Sequence, residues 1–269
     1  MKLAISTCPN DTFAFAALLS GEITSPSLEL DFELLDIQQL NDGVAKARFD
    51  VSKVSFAAAT QLGGWSILPV GSALGFGNGP LLLASRQNEG APAESDTVWC
   101  PGEQTTATML VRMFHPRAKN HRHVLFSEIM PAILRGDADF GVCIHEGRFT
   151  YADHGLRCVE DLGQRWERET NLPLPLGGLI ARDDLPSEQL REVVRLIRRS
   201  LDWALASPQK AIPTMRKYAQ EFSDDVLMRH VDLYVNRHTI ELGDVGRNAL
   251  DEFWKRSHAG GSPRFVQVD

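Results

Sequence analysis

Four places in this 269-residue chain set an apolar run against a burst of hydrogen-bonding residues. Residues 2–6 are followed by Thr7, Cys8, Pro9, Asn10, Asp11 and Thr12. The run after Asp50 closes on Lys53, Val54 and Ser55. Residues 97–100 lead into Pro101, Gly102, Glu103, Gln104, Thr105, Thr106 and Ala107, and residues 140–144 into His145, Glu146 and Arg148. Open α/β sheets bind ligands outside the carboxyl ends of their strands, so polar groups there are candidates for chemistry. His145 has the residue type of a general base, because imidazole titrates near neutrality. A histidine satisfied inside a core is the competing reading. The 101–106 loop runs into a helix, whose first N–H groups and hydroxyls make a seat for a carboxylate or phosphate. Thr105 or Thr106 as a plain helix cap rests on the same physics, so both readings stand. Cys8 sits where a thiolate is favoured, yet no activating partner is visible near it in sequence.

Several chemistries are excluded by pattern. G-x-x-x-x-G-K-[ST] and G-x-G-x-x-G are both absent, and Gly75-Phe-Gly-Asn-Gly79 precedes a strand rather than following one. There is no G-x-S-x-G elbow. His115, His121 and His123 cluster loosely, but no cysteine or carboxylate spacing completes a zinc set, and no metal site is expected.

The elements that must position these groups follow from periodicity. Strands are expected at 2–6, 28–35, 50–55, 67–70, 81–85, 97–100, 124–127, 140–144 and 179–182. Helices are expected at 12–19 (capped by Asn10 or Asp11 and ended by Gly21), 37–47, 56–62, 106–114 and 128–135. After Ser187 the texture changes to four helices, at 187–206, 208–221, 223–236 and 245–256, with Pro213 inside the second. Strand–helix alternation argues for an α/β fold with mostly parallel sheets. Residues 47–55 resemble residues 135–144: each is a helix end, an acidic residue and a buried strand. The chain therefore reads as two similar α/β lobes facing a ligand cleft. The Gly/Pro segments at 75–80 and 172–178 are the natural crossovers. The expected division is 1–83 plus 179–269 for the first lobe and 84–178 for the second.

Composition limits the partners. Lys and Arg total 28 against 35 Asp and Glu, a net charge of −7. That balance lacks the field of a dedicated nucleic-acid binder. No apolar stretch approaches the ~18 residues of a membrane span. The first residues lack the apolar core and cleavage site of an export signal, and the four cysteines form no C-x-x-C pair, so a cytoplasmic, reduced protein is expected.

The motifs are also familiar. Ser6-Thr-Cys-Pro-Asn-Asp-Thr-Phe13 and Ile144-His-Glu-Gly-Arg-Phe-Thr-Tyr151 are the most specific. Between and beyond them lie Lys53-Val-Ser-Phe56, Gly71-Ser-Ala-Leu-Gly75, Pro101-Gly102 with Thr105-Thr-Ala107, Leu172-Pro-Leu-Pro-Leu-Gly177 and His230-Val-Asp-Leu-Tyr-Val-Asn236. In this order they resemble the 1,4-dihydroxy-6-naphthoate synthase family of the futalosine route to menaquinone. Thr7 stands where that pattern usually has proline, and Gly147 where it usually has serine. The resemblance implies a two-lobed fold like type II periplasmic binding proteins, used as a cytoplasmic lyase with no metal or organic cofactor. It implies conversion of cyclic dehypoxanthinylfutalosine, a carboxylate-bearing small molecule, to 1,4-dihydroxy-6-naphthoate and dihydroxyacetone. The family's base matches His145, and its substrate-binding stretches match Lys53, Val54 and Ser55 and the Thr106–Ala107 region. Asn10 and Thr105 join them from the strand-end reading. The rival is a solute-binding protein that captures a small organic anion unchanged, since fold does not set function.

Overall fold

Buried apolar residues on both faces of residues 3–5 demand cover from both sides, and helices supply it. The computed structural model of the chain describes residues 1–144, 147–219, 223–258 and 260–267. The chain starts with β1 (Lys2–Ser6), α1 (Pro9–Ala14), α2 (Ala16–Leu19), β2 (Asp31–Leu35), α3 (Ile37–Ala45), β3 (Val51–Ser55), α4 (Phe56–Ala59), β4 (Trp65–Ile67) and β5 (Ala73–Gly75). It continues as β6 (Leu81–Ser85), β7 (Thr97–Cys100), α5 (Thr106–Phe114), β8 (Asn120–His123), α6 (Phe126–Arg135), β9 (Phe140–Cys143), α7 (Gly147–Thr150), β10 (Leu156–Asp161) and α8 (Leu162–Thr170). Strand β11 (Leu174–Arg182) then precedes α9 (Ser187–Ala206), α10 (Pro208–Tyr218), α11 (Asp224–Tyr234), α12 (Arg237–Ile240) and α13 (Gly243–Ser257).

Two units result, Met1–Gly75 with Pro175–Asp269 and Phe76–Leu174. The first has a sheet ordered β2-β1-β3-β11-β4, with β5 beside β11; the second is ordered β10-β6-β9-β7-β8. In the first unit, α1, α2, α9, α10 and α11 bury Phe13, Phe15, Leu196, Ile197 and Met215 against Leu3, Ile5 and Val51 of the sheet. In the second, Ile129 and Ile133 of α6 pack with Leu81, Leu83 and Trp99.

The sheets are mixed rather than mostly parallel. β1 runs parallel to β2 and β3, and β7 runs parallel to β8 and β9. β11 is antiparallel to β3 and β4, while β6 is antiparallel to β9 and β10. Each unit thus repeats one motif, with order β2-β1-β3 in the first and β8-β7-β9 in the second, and closes it with an antiparallel strand. The resembling segments 47–55 and 135–144 end in β3 and β9, which hold equivalent places in the two motifs.

Other expectations shift. The crossovers fall after Gly75 and Leu174, not after 83 and 178, because all of β6 pairs in the second sheet and β11 starts at Leu174. Residues 174–178, read as Gly/Pro punctuation, are strand. Gly177 and Gly178 face Ser55 and Val54 of β3, respectively, and a Cβ at Gly178 would enter the Phe56 ring at 2.5 Å. β8 occupies 120–123 rather than 124–127. Its sequence is polar because it is an edge strand, with Arg122 lying over the Trp99 ring at 4.4 Å, whereas Phe126 already begins α6. The first helix begins at Pro9, with Cys8 as its N-cap residue, so Asn10 and Asp11 lie in its first turn instead of capping it. Strands β5 and β10 and helices α7, α8 and α12 were not anticipated.

Candidate functional site

In the first unit the ends of β1 and β3 meet at a buried carboxylate. Asp11 lies in the first turn of α1, where the helix dipole favours negative charge. The Lys53 ammonium on β3 donates to Asp11 Oδ1 at 2.7 Å and to the Gly71 carbonyl at 3.0 Å. Ser6 donates its hydroxyl proton to Asp11 Oδ2 at 2.6 Å, and Asn10 Nδ2 donates to Oδ1 at 2.9 Å. Asn10 Oδ1 in turn accepts from His230 Nε2 at 3.1 Å, so that nitrogen carries the proton, and the imidazole packs on the Tyr234 ring at 4.4 Å. Asp11 and Lys53 are each 4% exposed. A buried ion pair holds only when its remaining donors and acceptors are satisfied, and this one is met on both oxygens. Lys53 is therefore committed to protein partners. The structure brings Lys53 and Asn10 together through Asp11, a residue that sequence reading treated only as a possible cap.

Val54 is fully buried and Ser55 nearly so, at the end of β3. The Ser55 N–H donates to Asn41 Oδ1 at 3.0 Å. Asn41, 1% exposed, was missed. Its signal was available: it falls on the buried face of α3 beside Leu40 and Val44, where an apolar residue is expected.

In the second unit Thr105 is the N-cap of α5. Its hydroxyl accepts from the Thr108 N–H at 3.2 Å and lies 3.0 Å from the Gly102 carbonyl. Thr108 donates to that carbonyl at 2.6 Å. Gly102 has a φ of 111°, a backbone only glycine adopts readily. The Thr105 side chain thus performs the cap. Thr106 and Ala107 are buried in the first turn. Burial pushes the neighbouring Cys100 thiol up to about 11, which keeps it an unreactive thiol.

His145 and Glu146 lie outside the described residues. Their flanks are defined: β9 ends at Cys143, and α7 starts at Gly147. A Cβ at Gly147 would meet the Cys143 Sγ, so any larger residue there requires that thiol to move. Arg148 donates to the Gly79 carbonyl at 2.5 Å and to Asp161 Oδ2 at 2.6 Å. Asp161 Oδ1 caps α8 by accepting from the Gln164 N–H. Glu167 of α8 accepts from the Gly77 N–H at 2.6 Å, and burial raises its pKa. The 76–80 loop is so tied to α7 and α8. Of the three histidines once weighed for zinc, His115 pairs with Glu160 at 2.7 Å, while burial lowers the pKa of His121 and of His123. Among the described residues no three metal-binding side chains converge, and no helix is long and apolar enough to cross a membrane.

Residues 1–259 match the family described as menaquinone biosynthesis. The chain belongs to that family. Within it, the chain is 39% identical over 269 residues to a 1,4-dihydroxy-6-naphthoate synthase of Thermus thermophilus, covering 98% of this chain and 97% of the relative. It is 38% identical over 268 residues to a synthase of the same name from Streptomyces coelicolor, covering 97% and 94%. The crystal structure of a protein from Archaeoglobus fulgidus superposes with a TM-score of 0.89 at 31% identity, covering 96% of each chain. The ligand-binding component of a Staphylococcus aureus ABC-type import system superposes with a TM-score of 0.71 at 12% identity, covering 99% of this chain and 96% of that one. At that identity the likeness concerns fold alone. This member of the menaquinone biosynthesis family has the fold of periplasmic binding proteins.

Proposed function

We propose that the chain is a lyase that converts cyclic dehypoxanthinylfutalosine to 1,4-dihydroxy-6-naphthoate and dihydroxyacetone, working in the cytoplasm without metal or organic cofactor. The observation that carries this reading is end-to-end similarity to two proteins named as synthases of that naphthoate. Expelling a three-carbon ketone requires a proton to be removed and electrons to be received on the carbonyl side of the bicycle. Neutral His145 is the base that takes the proton. Ser55, and Thr106 and Ala107 in the first turn of α5, are the donors for the substrate carboxylate and the developing oxyanion, while Asn10 and the Thr105 cap hold these segments in place. Val54 contributes only main-chain atoms, since its side chain is buried in the core. Lys53 acts behind these groups, holding Asp11 and through it Asn10. Aromatisation of the product drives the step forward.

The test is product analysis by mass spectrometry after incubating purified protein with cyclic dehypoxanthinylfutalosine, with and without EDTA. Naphthoate and dihydroxyacetone in equal amounts, unaffected by the chelator, are expected. Tight binding with no product would replace the lyase with a solute-binding protein for a small organic anion. Product lost with EDTA would overturn the metal-free chemistry.

A further inference from the structure

Asn78, in the loop between β5 and β6, is 1% exposed, yet neither Nδ2 nor Oδ1 has a hydrogen-bond partner among the described residues. Ser72 and Ser200 likewise bury a hydroxyl without a partner among the described residues, and other side chains show a milder form of this. Gln38 leaves only its oxygen unpaired, because Nε2 donates to Asp42. His121 and His123 each leave one ring nitrogen unpaired while bonding to backbone near Ala118 and Gly102. Asn78 alone among the described residues buries a whole carboxamide, donor end and acceptor end together, without a partner. Burying an amide unpaired is costly, and natural chains avoid it unless something fills the need.

The loop around it is not loose. Glu167 takes the Gly77 N–H, Arg148 donates to the Gly79 carbonyl, and the Leu162 N–H donates to the Pro80 carbonyl at 3.1 Å. Gly79 also packs so close to Gly163 that neither position admits a Cβ. The backbone on both sides of Asn78 is held by α7 and α8, and the side chain is left unsatisfied within a fixed frame. A preorganised, desolvated donor–acceptor pair discriminates strongly, because a ligand lacking the matching groups leaves it unpaired.

We infer that Asn78 is a specificity-determining residue that hydrogen-bonds the hydroxyl-bearing, sugar-derived ring of the substrate. The inference rests on the reaction proposed above. A carboxamide suits a hydroxyl group, since each offers both a donor and an acceptor. It is the part of the substrate that leaves as dihydroxyacetone, so the naphthoate product lacks it.

The experiment compares wild type with Asn78→Leu and Asn78→Ser. It measures kcat and KM for cyclic dehypoxanthinylfutalosine, the dissociation constant of 1,4-dihydroxy-6-naphthoate by calorimetry, and Tm without ligand. The expected result is a KM raised tenfold or more in both variants. Product affinity stays within twofold, and the Tm of Asn78→Leu is equal to or above that of wild type. KM and kcat within twofold of wild type would overturn the inference. So would a joint fall of Tm, substrate affinity and product affinity, which marks a purely structural residue. Should Asn78→Leu not fold, Asn78→Ser decides by the same KM-against-product comparison. A wild-type protein that forms no product overturns the reaction itself, and the substrate named here with it, whatever the variants do.

Discussion

The strand-end polar groups of the two units contrast sharply, although β3 and β9 occupy equivalent places in repeated motifs. At the end of β3 and β1 the polar side chains close on one another: Lys53, Ser6 and Asn10 all bond Asp11, and His230 bonds Asn10. In the second unit the Thr105 cap is closed too, but the 76–80 loop holds a buried carboxamide with no partner among the described residues. The closed network fixes geometry, because each member is immobilised by several others. The unpaired group has its bonding capacity in reserve. Polar side chains in the two units therefore divide into those whose bonds close within the fold and a carboxamide left unpaired among the described residues.

Three substitutions bear on that division, in order of expected size. His145→Ala removes the proposed base, which directly follows the last residues of the β9 run; kcat should fall about 10²- to 10⁴-fold with KM within a few-fold. Steady-state kinetics on the purified variant check it, and an unchanged kcat would remove His145 from the chemistry. Next comes the closed network. Asp11→Ala leaves the buried Lys53 ammonium without its counter-charge, which costs about 3–5 kcal/mol. For a unit of this size, that lowers Tm by roughly 10 °C. The double variant Asp11→Leu with Lys53→Met should recover most of the stability but not the activity, because Asn10 loses its anchor. Thermal denaturation with a parallel activity assay reads both. If the double variant is as active as wild type, the network does not position the site.

The smallest effect lies on the surface of the first unit. Glu192 accepts from Arg195 and from Ser25, and these bonds hold its carboxyl at about 2 against an ordinary 4.5. A folded-state pKa below the unfolded one adds stability that is complete above pH 4.5 and lost as pH falls toward 2. Glu192→Gln should therefore lower stability at pH 7 by about 1 kcal/mol or less, as exposed pairs are screened. The difference should vanish by pH 2. Denaturant titrations at both pH values check it, and a penalty as large as that of Asp11→Ala would erase the contrast between buried and exposed pairs.

Much of this was legible beforehand. The α5 boundaries follow from its apolar spacing and its threonines, and three of the four polar bursts stand at or near strand ends; His145 and Glu146 of the fourth lie outside the described residues. Other elements were not legible. β8 reads as polar loop because an edge strand needs only one neighbour, and the first half of β11, residues 174–178, was hidden by its glycines and proline, whereas its second half at 179–182 was expected. Those glycines serve the packing of Phe56 and Val54, a reason visible only across the sheet. Asn41 was passed over because a polar residue on a buried helix face looks like an irregularity until its strand partner is known.

Local periodicity, caps and ordered motifs are properties of neighbouring residues, so the sequence by itself determined the α/β class, the repeated motif and the family. Hydrogen-bond partners are set by register between residues far apart in the chain. Lys53 and Asp11 are 42 positions apart, and His230 and Asn10 are 220 apart. Only the tertiary structure could therefore decide that Lys53 is spent on a buried carboxylate, that Thr105 is a cap and that Asn78 is left unpaired.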